Sequence, residues 1–81
     1  MPTVLVLDGW RACFYSNESD GQMHVYASKG DAECKFWLYP DQYVIEEDFE
    51  HNLTPRARRE IRRILYRHLD EVVAAWRNMY G

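Results

Sequence analysis

From Thr54 to Tyr80 the apolar side chains recur with a period of about 3.6 residues, the pattern of one long amphipathic helix. Ala57, Ile61, Ile64, Leu65, His68, Val72, Ala75, Trp76 and Met79 fall on one stripe. Arg56, Arg59, Glu60, Arg63, Arg67, Asp70, Ala74 and Arg77 fall on the opposite one. Thr54 is a suitable N-cap and Pro55 suits the first helical position, so the start is well marked. Between the stripes lies a flank of Arg58, Arg62, Tyr66, Leu69, Val73 and Tyr80. The apolar arc therefore widens toward the C-terminus, beyond what one small sheet should cover. Leu69, Val73 and Tyr80 are expected to meet a second copy or another protein there.

The sheet that this helix needs is legible upstream. Thr3 to Leu7 is a short β-rich run, and Asp8-Gly9 is a strong hairpin signal into a returning strand from Trp10 to Tyr15. Ser16 to Gly21 reads as a polar loop, Met23 to Ala27 as a third strand and Ser28 to Asp31 as a tight turn. Ala32 to Tyr39 is a fourth strand, ended by Pro40. Alternation puts Ala12, Phe14, Met23, Val25, Ala27, Cys34, Phe36 and Leu38 on the face toward the helix. The other face carries Arg11, Cys13, Tyr15, His24, Tyr26, Glu33, Lys35, Trp37 and Tyr39, more aromatic than a plain solvent face. Residues 40–53 read as a connector, with a short extra strand or turn at Tyr43 to Ile45 and an acidic cluster from Glu46 to Glu50. The expected fold is α+β: an antiparallel meander of about four strands (3–39), the connector, and one long C-terminal helix (54–80) packed on one face. With 81 residues, all of this forms one domain, and so short a chain buries only roughly 60% of its unfolded surface.

Charge divides the chain. Residues 1–53 hold three basic and ten acidic side chains, whereas residues 54–81 hold seven and three. Six arginines lie within the twelve residues from Arg56 to Arg67. Arg59, Arg63 and Arg67, at i, i+4 and i+8, make an exposed ridge. Such a ridge can follow phosphates, meet an acidic protein surface, or stay solvated beside the acidic connector. Basic residues near a helix N-terminus run against its dipole, so acidic neighbours or a ligand would relieve them. The net charge of −3 favours a protein partner over nucleic acid. On the open sheet face, Tyr15, Tyr26, Trp37 and Tyr39 beside Arg11, His24 and Lys35 suit a protein interface, and also the stacking of single-stranded bases.

Little else carries chemistry. Cys13 and Cys34 have no metal-like spacing and are expected as free thiols in a reducing compartment. No basic region leads an apolar one after Met1, and the longest apolar run, Val72 to Trp76, is too short to span a bilayer. A cytoplasmic chain with no membrane contact is the expectation. His24, His51 and His68 are widely spaced, so no metal site is expected, and His68 on the apolar stripe reads as a buried, hydrogen-bonded side chain. Glu33-Cys34-Lys35 is an E-x-K of the kind found in metal-dependent nucleases, but alternating charges on a strand face produce it readily. No phosphate loop, nucleophile elbow or cysteine–histidine pair is present, and no cofactor is expected. His24 stands as the one catalytic candidate, for a small ribonuclease-like activity.

Several short segments occur together in a familiar order. His68 to Trp76 (H-L-D-E-V-V-A-A-W) resembles the pattern H-x-x-E-L-L-x-x-W of a family of small bacterial proteins, domain of unknown function 4160. Met1-Pro2-Thr3, Phe14 to Glu18 (F-Y-S-N-E), His24-Val25 and Lys35 to Leu38 (K-F-W-L) resemble that family as well. One segment departs from it: Asp20-Gly21-Gln22-Met23-His24-Val25 stands where the family has P-P-H-x-H-V, so both prolines and the first histidine are missing. Genes of this family often sit beside a second small gene, in pairs that look like toxin–antitoxin modules. The resemblance thus implies a protein partner from a neighbouring gene and brings no chemistry with it. The sequence therefore reads as a non-enzymatic interaction module, with a nucleic-acid-binding module and a ribonuclease-like toxin as alternatives and homodimerisation open.

Overall fold

The computed structural model describes residues 3–15 and 22–80. The polar loop expected from Ser16 to Gly21 lies outside the described residues. The elements are β1 (Thr3–Leu7), β2 (Trp10–Cys13), β3 (His24–Lys29), β4 (Ala32–Tyr39), β5 (Val44–His51), α1 (Pro55–Arg67) and α2 (Leu69–Tyr80). The strands form one antiparallel sheet in chain order. Asp8 and Gly9 both take positive φ, as a two-residue type I′ hairpin requires, and glycine meets that demand without strain.

Alternation sorts the inner face as expected, whereas Cys13 and His24, expected on the open face, are buried at 6% and 2% exposure. Ala12, Phe14, Val25, Ala27, Cys34, Phe36 and Leu38 are buried against the helices, and Met23 packs at the margin of the core. Trp10, in phase with Ala12 and Phe14, joins them. On the helices, Ile61, Ile64, Leu65, Val72 and Trp76 close the core. The Thr54 hydroxyl accepts the Ala57 N–H at 3.1 Å and Pro55 opens the helix, as its sequence demanded. Met79, placed on the apolar stripe, is 42% exposed near the helix end.

The sheet has a fifth strand where a connector was expected. Residues 44–51 pair with β4 from Val44↔Tyr39 to His51↔Glu33, interrupted by a bulge beside Lys35 and Phe36. Two features hide this strand. The bulge breaks the period-2 pattern, and its inward positions Glu47 and Glu50 serve polar contacts. Glu47 binds Arg58, and the Glu50 carboxylate accepts the Leu53 N–H at 3.1 Å.

The second correction concerns the helix. It is two helices, broken at His68, which has φ −110° and ψ 20°. An unbroken helix from Pro55 to Tyr80 would run about 39 Å at ~1.5 Å per residue, whereas the longest extent of the molecule is 33 Å. The break also reorients the flank. Leu69 and Val73, expected on an uncovered surface, are 1% and 6% exposed in the core. Two tyrosines secure the junction: the Tyr43 hydroxyl donates to the Tyr66 carbonyl at 2.7 Å, and the Tyr66 hydroxyl accepts the Ile45 N–H at 3.2 Å. One of the carbonyls left over at the end of α1 is thereby satisfied. His68 is half-buried rather than buried, with Nδ1 3.0 Å from the Glu71 carboxylate.

Leu69→Ala should therefore behave as a core truncation, costing about 2–5 kcal/mol like Leu65→Ala. Arg63→Ala should stay within about 0.5 kcal/mol. Urea denaturation of the three variants checks this. A cost for Leu69→Ala no larger than that of Arg63→Ala contradicts the burial of the flank.

Candidate functional site

Both helices cover the inner face of the sheet, so the surfaces left for a partner are the outer sheet face and the solvent side of the helices. On α1, Ile61 and Leu65 point into the core, and helical geometry turns Arg59, Arg63 and Arg67 away from the sheet. All three are exposed. Among the described residues, none of them lies within ion-pair distance of a carboxylate, whereas nearby cations are paired. Arg58 donates through Nε and Nη2 to both Glu47 carboxylate oxygens, at 2.8 and 3.4 Å. Those hydrogen bonds and the charge of Glu47 push the Arg58 guanidinium above its ordinary value. Lys29 meets Glu60 at 2.9 Å and Lys35 meets Asp48 at 3.6 Å. The acidic segment thus neutralises Arg58, next to the first turn of α1, and leaves the ridge alone.

The outer face gathers the other expected residues. Tyr15 and Tyr26 pack edge to face at 4.4 Å between ring centroids. The Lys35 ammonium sits 4.3 Å from the Trp37 ring centroid and 5.3 Å from that of Tyr26. Phe49, unforeseen because its strand was unforeseen, reaches Tyr26 at 6.2 Å and is 40% exposed. Tyr15, Tyr26 and Trp37 are therefore one cluster with Lys35 at its centre, each half-buried.

His24 has a different setting. It is 2% exposed, Nδ1 lies 2.7 Å from the Gln22 carbonyl, and its ring packs against Tyr26, Trp37 and Trp76 at 5.6, 5.5 and 5.1 Å. A general base has to come within hydrogen-bond reach of a substrate proton. The surroundings of His24 are those of a packing side chain. Among the described residues, no cluster of three or more histidine, cysteine or carboxylate side chains is placed to hold a metal. No described helix is long and apolar enough to cross a membrane. Burial pushes the Cys13 thiol up, and burial followed by the nearby Glu47 and Glu33 charges pushes that of Cys34 up to about 12.

One contact outside both surfaces went unread. The buried Trp10 donates its indole N–H to Glu60 Oε1 at 2.7 Å, and Lys29 binds the same oxygen. Helical periodicity places Glu60 on the polar stripe of the helix. Its signal was available, because a buried indole N–H needs an acceptor and Glu60 is the one carboxylate on α1. The hydrogen bonds from Lys29 and Trp10 hold the Glu60 carboxyl below its ordinary value.

A depressed carboxylate stabilises the fold above its unfolded value, and that contribution disappears as pH falls through the folded value. Parent and Glu60→Gln should thus differ in thermal midpoint at neutral pH, with the gap starting to close near the ordinary glutamate value of about 4.3 and vanishing only below the lowered folded value. A gap unchanged between neutral and acidic pH contradicts the role of the charge. Both thiols should resist alkylation at neutral pH until denaturant is added. Modification of Cys34 in the native protein at the rate of a free thiol contradicts its burial.

A family model described as Domain of unknown function (DUF4160) matches residues 9–77. No curated protein and no solved structure matches the chain.

Proposed function

The chain belongs to the family described as domain of unknown function 4160, and from that premise we propose that it is a small non-enzymatic protein-interaction module, one component of a bacterial two-gene system of the toxin–antitoxin kind. The arginine ridge carries this reading. In a chain with thirteen acidic and ten basic side chains, Arg59, Arg63 and Arg67 are exposed and, among the described residues, without an ion-pair partner. The partner presents an acidic surface to them. Arginine suits such a contact, because its planar fork meets a carboxylate in two parallel hydrogen bonds. The half-buried aromatic cluster around Lys35 supplies a second surface of interface composition.

Two observations weigh against the alternatives. The net charge of −3 repels phosphates at distance. His24 is 2% exposed with Nδ1 at the Gln22 carbonyl, which favours a packing role over a catalytic one.

Co-purification of the tagged chain with the product of its neighbouring gene, followed by mass spectrometry, tests the proposal. The parent should recover a stoichiometric partner. Replacing Arg59, Arg63 and Arg67 together by Glu should weaken capture by at least about tenfold, since exposed pairs contribute roughly 0.2–1 kcal/mol each and reversal adds repulsion. Recovery of the parent without a partner, or undiminished capture by the folded triple variant, overturns it. In a low-salt shift assay, retention of RNA or DNA by the parent and not by the variant would transfer the ridge to nucleic acid.

A further inference from the structure

The ridge requires an acidic surface, and the molecule carries one on its opposite side. The outer face of β4 and β5 presents Glu33, Glu46 and Asp48 against the single cation Lys35, with Trp37 and Phe49 among them. Phe49 is 40% exposed, and the Asp48 side chain remains 39% exposed even while it meets Lys35. Among the described residues, Glu33 and Glu46 have no cationic partner, and Glu46 accepts only a long hydrogen bond of 3.5 Å from the Tyr39 hydroxyl. This face already holds one cation against its rings, the Lys35 ammonium over Trp37 and Tyr26. Carboxylates beside aromatic faces are a receptor for guanidinium groups, through both charge and cation–π attraction.

We propose that this face docks the arginine ridge of a second copy, so that the chain associates head to tail. The proposal rests on reading the ridge as a protein-docking surface and adds a second occupant of it, the chain itself, in competition there with the neighbouring gene product. Spacing and charge both fit. Arg59 and Arg67 are separated by about 12 Å along α1, and Glu33 and Glu46, which stands opposite Trp37, by about 13 Å along the strands. The segment containing the ridge carries seven basic and three acidic side chains, and the segment containing the face carries three and ten. A ridge-to-ridge or face-to-face dimer would oppose like charges. The two surfaces also point in opposite directions across a two-layer molecule, so one two-fold axis cannot satisfy both contacts. The contact is therefore heterologous, repeating around a ring or along an open chain.

Sedimentation velocity on the full chain at rising concentration, at low and at high ionic strength, provides the test. The weight-average mass of the parent should rise with concentration at low salt and fall back at high salt. Arg59→Glu with Arg63→Glu reverses the ridge, and Glu33→Lys with Glu46→Lys reverses the face. Each double variant alone should associate at least about tenfold more weakly than the parent. Their equimolar mixture should recover association, because each then offers what the other lacks. Circular dichroism confirms that both are folded. A parent that stays monomeric at low salt overturns the proposal, as does association that neither variant weakens, or a folded mixture that fails to recover it. A monomeric parent that still captures a neighbouring gene product through its ridge removes only self-association and leaves the reading of the ridge standing.

Discussion

The break at His68 is the constraint on which the rest of this structure depends. A helix of about 39 Å does not fit on a molecule whose longest extent is 33 Å. Left straight, it would overhang the sheet and leave Leu69 and Val73 in water. Divided in two, the segment covers the sheet as a helical pair, and those residues join Leu65, Val72 and Trp76 in one core. The cost of a break is unsatisfied backbone at each new terminus. Here the chain meets part of it locally: Tyr43 binds the Tyr66 carbonyl, the His68 N–H reaches the Ile64 carbonyl at 3.0 Å, and the Val72 N–H reaches the His68 carbonyl at 3.0 Å. Asp70 and Glu71 in the first turn of α2 then lie with its dipole.

Because the apolar flank is consumed internally, what the helices offer to another molecule is charge. The acidic residues are spent unevenly. Glu47 holds Arg58, Glu60 holds Trp10 and Lys29, and Glu50 caps the entry into α1 through Leu53. Each of these contacts ties the sheet to the first helix or to the turn leading into it. None reaches Arg59, Arg63 or Arg67. The same charges that close the fold at the N-terminus of α1 thus leave a basic surface that starts on the other side of the same turn, facing away from the sheet.

Sequence made some of this legible and concealed the rest for physical reasons. The inner face of β2 to β4, the Asp8-Gly9 hairpin and the Thr54 cap follow from local chemistry, and the structure has them. The basic ridge was equally plain, since residues four apart on a helix share a face. β5 was hidden because its bulge and its inward glutamates erase the alternation by which a strand is recognised. The break at His68 was hidden because the apolar period continues through it. The break goes with the extent of the whole molecule, 33 Å, which no local window contains. Surplus apolar residues at Leu69 and Val73 were the visible symptom, and they pointed to a partner where the answer was a bend. The Glu60 contact with Trp10 joins positions fifty residues apart, beyond any local pattern.

The most direct measurement is solvent paramagnetic relaxation of the side-chain protons, by nuclear magnetic resonance with a soluble probe on the isolated chain. The Leu69 and Val73 methyl groups should be as shielded as those of Leu65, with Met79 and the side chains of Arg59, Arg63 and Arg67 strongly broadened. Leu69 and Val73 methyls broadened to the level of Met79 would contradict the account, restoring a straight helix with an apolar flank that awaits a partner.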